Sequence, residues 1–297
     1  MKIIGIMPVR NEDWCLGLTL RAALMWCDEV VVLMHACTDE SIHIVRQILL
    51  HEAPGRLFVG LRQEGKWEEM DHRQSLLMAA RRLGATHIAI IDADEVLTGN
   101  LLDERLFQSV RSQISFIQSG FTLQLPWLAL PRTIDRYITE GTWGHGQQVS
   151  MAFKDQPEAH WAARNGYDFH HRNPMGLPAG RFSAPLKAHE GGIMHLQFLS
   201  ERRLRAKQAL YQVTEVLRWP GRKAPAELAT MYGRAVYDSA NVATLPVPAE
   251  WWAPYSHLMK YLDLSEDKEP WQETEVKRLV AEHGREKFAG LDLFGVV

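Results

Sequence analysis

The sequence predicts an α/β fold: a mostly parallel sheet flanked by helices, followed by a helical C-terminal extension. Three observations point there. Short β-rich apolar runs recur at Lys2–Met7, Glu29–Leu33, Arg56–Gly60 and Ile88–Ile91. Stretches with helical periodicity separate them, and strand–helix alternation implies crossover connections between parallel strands. The fourth run ends in acids, Asp92-Ala93-Asp94-Glu95, where open α/β sheets place their ligands.

Each element has a local reason. Asn11 is a candidate N-cap, with Glu12 and Asp13 suited to a first turn, and Leu16, Leu20, Ala23 and Leu24 keep the period behind them. Thr38 or Asp39 caps the second helix, which shows Ile42, Val45, Ile48 and Leu49 on one face. The third helix carries Leu76, Leu77, Ala80 and Leu83, and Gly84 suits the position just past its end. Beyond Leu101 the expected elements are a short helix over Asp103–Val110 and strands over Phe116–Leu125, Val149–Lys154 and Ile193–Met194. Helices then follow from Ser200, over Pro225–Ser239 and over Thr274–Phe288. The run 246–254, proline-punctuated and aromatic, reads as a connector packed on the main domain.

Composition narrows the class. The chain has 297 residues, 46% hydrophobic and 23% charged, which suits a soluble globular protein with a sizeable core. A net charge of −3 gives no global pull toward nucleic acid or anionic membrane. Cys15, Cys27 and Cys37 have no paired spacing and read as reduced thiols. Met1-Lys2 leads straight into a strand, and no run approaches the ~18 apolar residues of a membrane span, so the cytoplasm is the expected compartment. Most of the ten tryptophans lie beyond Gly120, and such surfaces stack on sugars or bases.

The chemistry concentrates at the strand ends: Arg10-Asn11-Glu12, Thr38-Asp39-Glu40, Arg62 to Arg73, and Asp92 to Glu95. Asp92 and Asp94, two residues apart, are close enough to share a hard cation. Carboxylate oxygens suit Mg2+ or Mn2+, which keep waters and bridge to substrate phosphates. The competing reading of each motif is a helix cap or a solvated charge.

In order and spacing these motifs resemble the family-two glycosyltransferases, which have the GT-A (Rossmann-like) fold. The resemblance is carried by Pro8-Val9-Arg10-Asn11-Glu12, by Asp28 to Leu33 with Thr38-Asp39-Glu40-Ser41, and by Arg73 to Ala80 with Gly84-Ala85 leading into Asp92-Ala93-Asp94-Glu95. It covers residues 1–100 well and the remainder loosely. It implies a nucleotide-sugar-binding half over 1–100, an acceptor and catalytic half over 101–200, and a helical extension over 201–297.

The resemblance also implies roles. Pro8, Arg10 and Glu12 line the base and ribose pocket, and Asp39 sits in the second base-side loop. Arg73 reaches the nucleotide. Asp92 approaches ribose or metal, Asp94 is the main ligand of Mn2+ or Mg2+, and His195 is a further metal ligand. Lys207 meets the donor phosphates. Glu190 is the candidate base for an inverting transfer, with Asp168 and Asp155 as competitors. The implied donor is a nucleoside-diphosphate sugar, first a UDP-sugar. The implied acceptor is a glycan or glycolipid precursor, or less readily a nucleic acid, through Arg202 to Lys207 and Arg218 to Lys223. One departure stands out: the family has an acid after its second strand, and here Met34-His35 stands there.

Three alternatives share the same residues. Ile91 to Thr98 resembles the first motif of haloacid-dehalogenase-like phosphatases, with Asp92 as nucleophile and Asp94 as acid. That family has glycine where Glu95 stands and a downstream acidic pair that is missing here. A sugar nucleotidyltransferase would want a glycine-rich loop after the first strand. A binding module that has lost turnover would keep the fold alone. The stretch 141–146 is a glycine-rich loop with an aromatic, an acceptor-side loop or a turn, and Phe169 to Pro174 is polar and histidine-rich. Adjacent His170 and His171 point in opposite directions on a strand, which argues against one shared metal.

Overall fold

The computed structural model describes residues 1–144, 146–169, 172–178, 180–183, 186–240 and 242–297. His145, His170 and His171 therefore lie outside the described residues. The chain forms two compact units. The first comprises 1–127, 146–194 and 248–263; the second comprises 128–145, 195–247 and 264–297.

In the first unit, β1 (Ile3–Val9), β2 (Glu29–His35), β3 (Leu57–Arg62) and β4 (His87–Ile90) alternate with α1 (Asp13–Leu24), α2 (Ser41–Gln47) and α3 (Glu69–Arg82). These four strands are parallel, in the order β3-β2-β1-β4. Then come β5 (Glu95–Leu97), α4 (Val110–Ser115), β6 (Phe121–Ala129), β8 (Gln148–Lys154), β9 (Gly180–Ser183) and β10 (Ile193–His195), while β7 (Arg136–Ile138), between β6 and β8 in the chain, belongs to the second unit. The sheet continues past β4 as β8-β6-β10-β5; β8 is antiparallel to β4 and β6, and β9 pairs parallel with β6. The α/β class and the four leading strands agree with the sequence reading. The helix expected over 103–110 instead forms at Val110–Ser115, where Ser109 caps it by accepting the Ser112 N–H.

The parallel strands are apolar on both faces because helices cover both. Ile4, Ile6, Val31, Leu33, Ile88 and Ile90 pack against Met70, Leu76, Leu77 and Ala80 of α3. Ile3, Met7, Val30, Val32 and Ala89 belong to the core on the other side, with Leu16, Leu20 and Ala23 of α1. The two-residue period of a strand then sets what stands at each end. Pro8 follows Ile6, His35 follows Leu33, and Asp92 follows Ile90, all toward α3. Gly84 ends α3 in the left-handed region, φ +79°, as its position predicted.

The connector returns to the first unit. Its α7 (Ala249–Trp252) and the 3₁₀ turns over Ala253–Tyr261 pack on α1 and on the turn Gly99–Leu102. Tyr261 lies on Gly17, the Arg21 guanidinium sits 3.9 Å above the Tyr261 ring, and Asp263 N–H donates to the Trp14 carbonyl at 2.7 Å.

The second unit is built on α5 (Glu201–Arg218), α6 (Pro225–Tyr237) and α8 (Trp271–His283), with β7 and β11 (Thr244–Pro246) as an antiparallel ribbon. Leu204, Ala209, Val213, Val236, Val276 and Val280 form its core. Ser200 caps α5 as predicted, accepting the Arg203 N–H at 3.1 Å.

The strap sets one stability expectation. A Cβ on Gly99 would lie 2.4 Å from Pro254 Cδ and 2.7 Å from the Glu250 carbonyl. Gly99→Ala should therefore cost about 1–3 kcal/mol through overpacking. Urea unfolding measures this, and an unchanged midpoint would show that the strap yields freely.

Candidate active site

The ladder between β1 and β4 runs on to the Ile91 N–H, which donates to the Ile6 carbonyl at 3.1 Å. The chain then turns tightly. Glu95 N–H donates to the Asp92 carbonyl, and Asp92 N–H returns to Glu95 Oε2, each at 3.1 Å. The turn brings Asp92, Asp94 and Glu95 to the C-terminal edge of the parallel strands. Asp94 and Glu95 are buried, and the Asp92 side chain keeps 31% exposure.

Two arginines hold this turn. Arg73, on the first turns of α3 and 3% exposed, donates from Nη2 to Asp92 Oδ1 at 2.9 Å and from Nε to Glu69 Oε1 at 3.0 Å. Its Nη1 is buried without a hydrogen-bond partner. The second is Arg172, from the segment between β8 and β9. Its Nη1 donates to Asp92 Oδ2 and Glu95 Oε1, both at 2.8 Å. Its Nη2 donates to Glu95 Oε2 at 2.8 Å and the Ile90 carbonyl at 2.7 Å, and its Nε to the Ser150 carbonyl at 2.6 Å. Trp127 Nε1 adds a bond to Glu95 Oε1 at 3.1 Å.

The charges are interdependent. Burial raises the Asp92 carboxyl, but Arg73 and Arg172 outweigh burial and the Asp94 charge and hold it well below the usual range. Burial disfavours the Arg73 and Arg172 cations, and their carboxylates more than offset it, so both are raised. Arg73 and Arg172 together engage Glu69, Asp92 and Glu95, and Asp94 stands beside them in the same turn. Among the described residues no cluster of three or more His, Cys, Asp or Glu could hold a metal ion. Such a donor set suits a cation that keeps its waters and is held by one or two carboxylates together with substrate phosphates, the habit of Mg2+. Each Asp92 oxygen thus accepts one guanidinium N–H, Oδ1 from Arg73 and Oδ2 from Arg172.

The base-side loops are knitted together. Asn11 adopts φ +54° and does not cap α1; its Oδ1 accepts the Thr38 N–H at 2.7 Å. Glu12 takes the cap position of α1, and its Oε2 accepts Trp14 Nε1 at 2.7 Å. Asp39 spans two helix starts, accepting Asp13 N–H and Ser41 N–H, each at 3.0 Å. The cap position of α2 is Glu40, so Asp39 does its capping from one residue earlier. Pro8 is buried within β1, and Arg10 is half-buried just past its end.

Beside them lies an aromatic cluster that the sequence did not announce. The rings of His35, at the end of β2, and His72, on α3, are 4.7 Å apart, and Trp67 meets both at 5.5 and 4.6 Å. Burial first, then Arg10 and Arg62, lower His35 to about 4. Burial, then His35 and Arg62, lower His72 to about 3.

The remaining sequence candidates are spread more widely. Glu190 closes the 3₁₀ turn Ala188–Glu190; its Oε2 accepts the Lys187 N–H at 2.8 Å, and its Oε1 has no hydrogen bond. Asp155 is held by Arg81 through two bonds of 2.9 Å. Asp168 is buried. His195 and Lys207 belong to the second unit. There His195 is buried with its ring edge on Phe198 at 5.7 Å, and Lys207 is half-buried on α5. Arg172 stands in a polar loop where no local pattern marks it, and only its contacts reveal it.

The histidine pair carries a pH signature. Both rings are neutral in the fold and protonate more readily when unfolded, so their contribution is complete above about pH 6.5 and is lost as pH falls toward 4. The melting temperature should decline over that window, and His72→Phe should flatten part of the decline. Parallel profiles for both proteins would refute the assignment.

No protein-family model and no curated protein sequence matches the chain. Among solved structures it is similar to S. aureus TarS 1-349, at 11% identity and a TM-score of 0.43, over 98% of this chain and 83% of that one. It is similar to the mannosyltransferase PcManGT from Pyrobaculum calidifontis, in complex with GDP-Man and Mn2+, at 16% identity and a TM-score of 0.43, over 96% and 75%. It is also similar to glucosyl-3-phosphoglycerate synthase from Mycobacterium tuberculosis, with Mn2+, UDP and phosphoglyceric acid, at 14% identity and a TM-score of 0.35, over 61% and 68%.

Proposed function

We propose that this chain is a metal-dependent glycosyltransferase that moves a sugar from a nucleoside-diphosphate sugar, first a UDP-sugar, to an acceptor hydroxyl with inversion. The observation that carries the reading is Arg73. Its buried, unpartnered Nη1 sits beside the acid turn, at the strand edge where ligands of α/β sheets bind. A buried donor left unpaired costs about 1–3 kcal/mol, and an anionic oxygen of a nucleotide would satisfy it.

In this reading Asp94 holds Mn2+ or Mg2+ together with the donor's phosphates. When bound there, such a cation would supply positive charge to offset that growing on the departing diphosphate. Pro8, Arg10 and Glu12 face the nucleoside, and Asp39 fixes the two loops that shape its pocket. Asp92, clamped by Arg73 and Arg172, presents a fixed negative edge toward ribose or metal. Glu190 takes the acceptor proton: its Oε2 is anchored to its own turn and its Oε1 accepts no hydrogen bond. Asp168 is the second candidate base. Asp155 is committed to Arg81 and is the weakest of the three. His195 and Lys207 are assigned to metal and phosphates on the sequence resemblance alone.

A glycan or glycolipid precursor is the favoured acceptor. The basic stretch that suggested nucleic acid is largely paired: Arg202 with Glu273, Arg205 with Glu201, and Lys223 with Glu215. No helix among the described residues is long and apolar enough to cross a membrane.

A panel of nucleotide-sugars with Mn2+, Mg2+ or chelator tests the reading by thermal shift and by donor hydrolysis. One donor should stabilise the protein only with metal, and Asp94→Ala should abolish the effect. Glu190→Gln should keep that stabilisation and lose transfer by about 10²–10⁴-fold, the usual worth of a general base. Phosphatase activity without a donor response would replace the proposal.

A further inference from the structure

The aromatic cluster at the end of β2 holds hydrogen-bonding capacity that the fold leaves idle. His35 and His72 are 0% exposed, and all four of their ring nitrogens are buried without a hydrogen-bond partner in the protein. A neutral imidazole carries one donor and one acceptor. Two donors and two acceptors therefore stand unused on adjacent rings 4.7 Å apart. Buried polar groups left unpaired are destabilising, and phenylalanine, of similar shape, would avoid that cost. Packing alone does not account for two histidines here.

One loop lies over the pair. Residues 63–68 join β3 to α3 and are exposed except for Trp67, which is half-buried with its ring against His35 and His72. The Gly65 carbonyl of this loop favours a proton on His35 without completing a hydrogen bond. Gly65 adopts φ +103°, and no atom would lie within 4 Å of a Cβ there. Glu68, at the cap position of α3, makes no side-chain cap. The two ends of the loop are nevertheless fastened together, because Arg62, at the end of β3, pairs with Asp71, in the first turn of α3, at 2.6 Å. A loop with a pinned base, an unobstructed glycine and one inward aromatic can lift as a unit. We propose that residues 63–68 form a lid, closed by Trp67 over His35 and His72 in the free protein, which lifts to admit a nucleobase whose donor and acceptor edge takes up the idle imidazole nitrogens. The proposal rests on the nucleotide-binding part of the reading above and is independent of sugar, metal and acceptor. A nucleobase is planar, carries adjacent donors and acceptors, and stacks on an indole. An enclosed site built to hydrogen-bond its ligand also rejects ligands that lack the matching groups.

The test measures binding of UDP, GDP, ADP and CDP at neutral pH, each with Mn2+ and with chelator. One of the four should bind more tightly than the others. His72→Phe keeps the ring and removes its idle nitrogens. It should raise the melting temperature of the free protein by about 2–4 °C. It should also weaken the preferred nucleotide by about 10–100-fold, bringing it level with the rest. His72→Gln, which restores a donor and an acceptor, should recover part of the discrimination. Stopped-flow binding should level off with nucleotide concentration in the unaltered protein, at the rate of lid opening. In Trp67→Ala the rate should instead rise linearly and about tenfold faster, because the cover is gone.

Should His72→Phe fail to fold, His35→Phe carries the same comparison. Base discrimination that survives in the folded phenylalanine variant would overturn the proposal, as would a binding rate unchanged by Trp67→Ala. Absence of binding by all four nucleotides under both conditions would overturn it as well. Turnover of a nucleotide-sugar with discrimination intact in His72→Phe would sink the lid and leave the glycosyl-transfer reading standing. Nucleotide binding as expected, with no donor turned over, would fault the transfer reading and leave the lid in place.

Discussion

Burying an ionised carboxylate costs several kcal/mol unless its oxygens are matched, and leaving one member of a buried pair unmatched costs about 3–5 kcal/mol. The acid turn after β4 gathers Asp92, Asp94 and Glu95 within four residues, so it depends on the guanidiniums that meet it. Arg73 and Arg172 approach from different parts of the chain, α3 and the loop after β8. Their placement accounts for much of the first unit. The α3 helix packs on the sheet face that ends in Asp92, and β8 lies beside β4, so that the Ser150 carbonyl and the Arg172 loop reach the same point.

How much of this was legible follows from the range of each interaction. The parallel strands and their helices were legible because apolar periodicity is local and both sheet faces are covered. Gly84 and Ser200 were legible because a positive φ and a cap each require particular residue types. Asn11 and Asp39 carried true signals with displaced meaning. Both are cap-forming residues, but they serve each other's loops across 26–28 positions, which no local window can resolve. The helix expected from Asp103 begins about two turns later, at Val110, because Ser109 supplies the cap that Asp103 does not.

The acid pair of the site could be read from the sequence, and its counter-ions could be read only in half. Arg73 stands in a helix leading to the acid turn, and the motif order exposed it. Arg172 is 80 residues from Asp92 and is recognised only through what it touches. The basic run on α5 shows the opposite error. Its arginines look like a patch in sequence, yet the fold gives several of them acidic partners of their own.

His35 marks where this chain leaves the pattern it otherwise resembles. An acid at the end of β2 would stand among the positive charges of Arg10 and Arg62, and would be paired by them. A histidine there is instead pushed toward neutrality by burial and by those same two arginines. Neutral imidazole offers one donor and one acceptor, whereas a carboxylate only accepts. The substitution therefore changes the kind of hydrogen bond this strand end can make. His72, one residue before Arg73 on α3, shares that environment, so the helix that clamps the acid turn also sets the polarity of the neighbouring strand end. Consecutive residues of one helix turn thus face the two strand ends: Arg73 fixes the charge of Asp92 after β4, and the His72 ring packs on His35 at the end of β2.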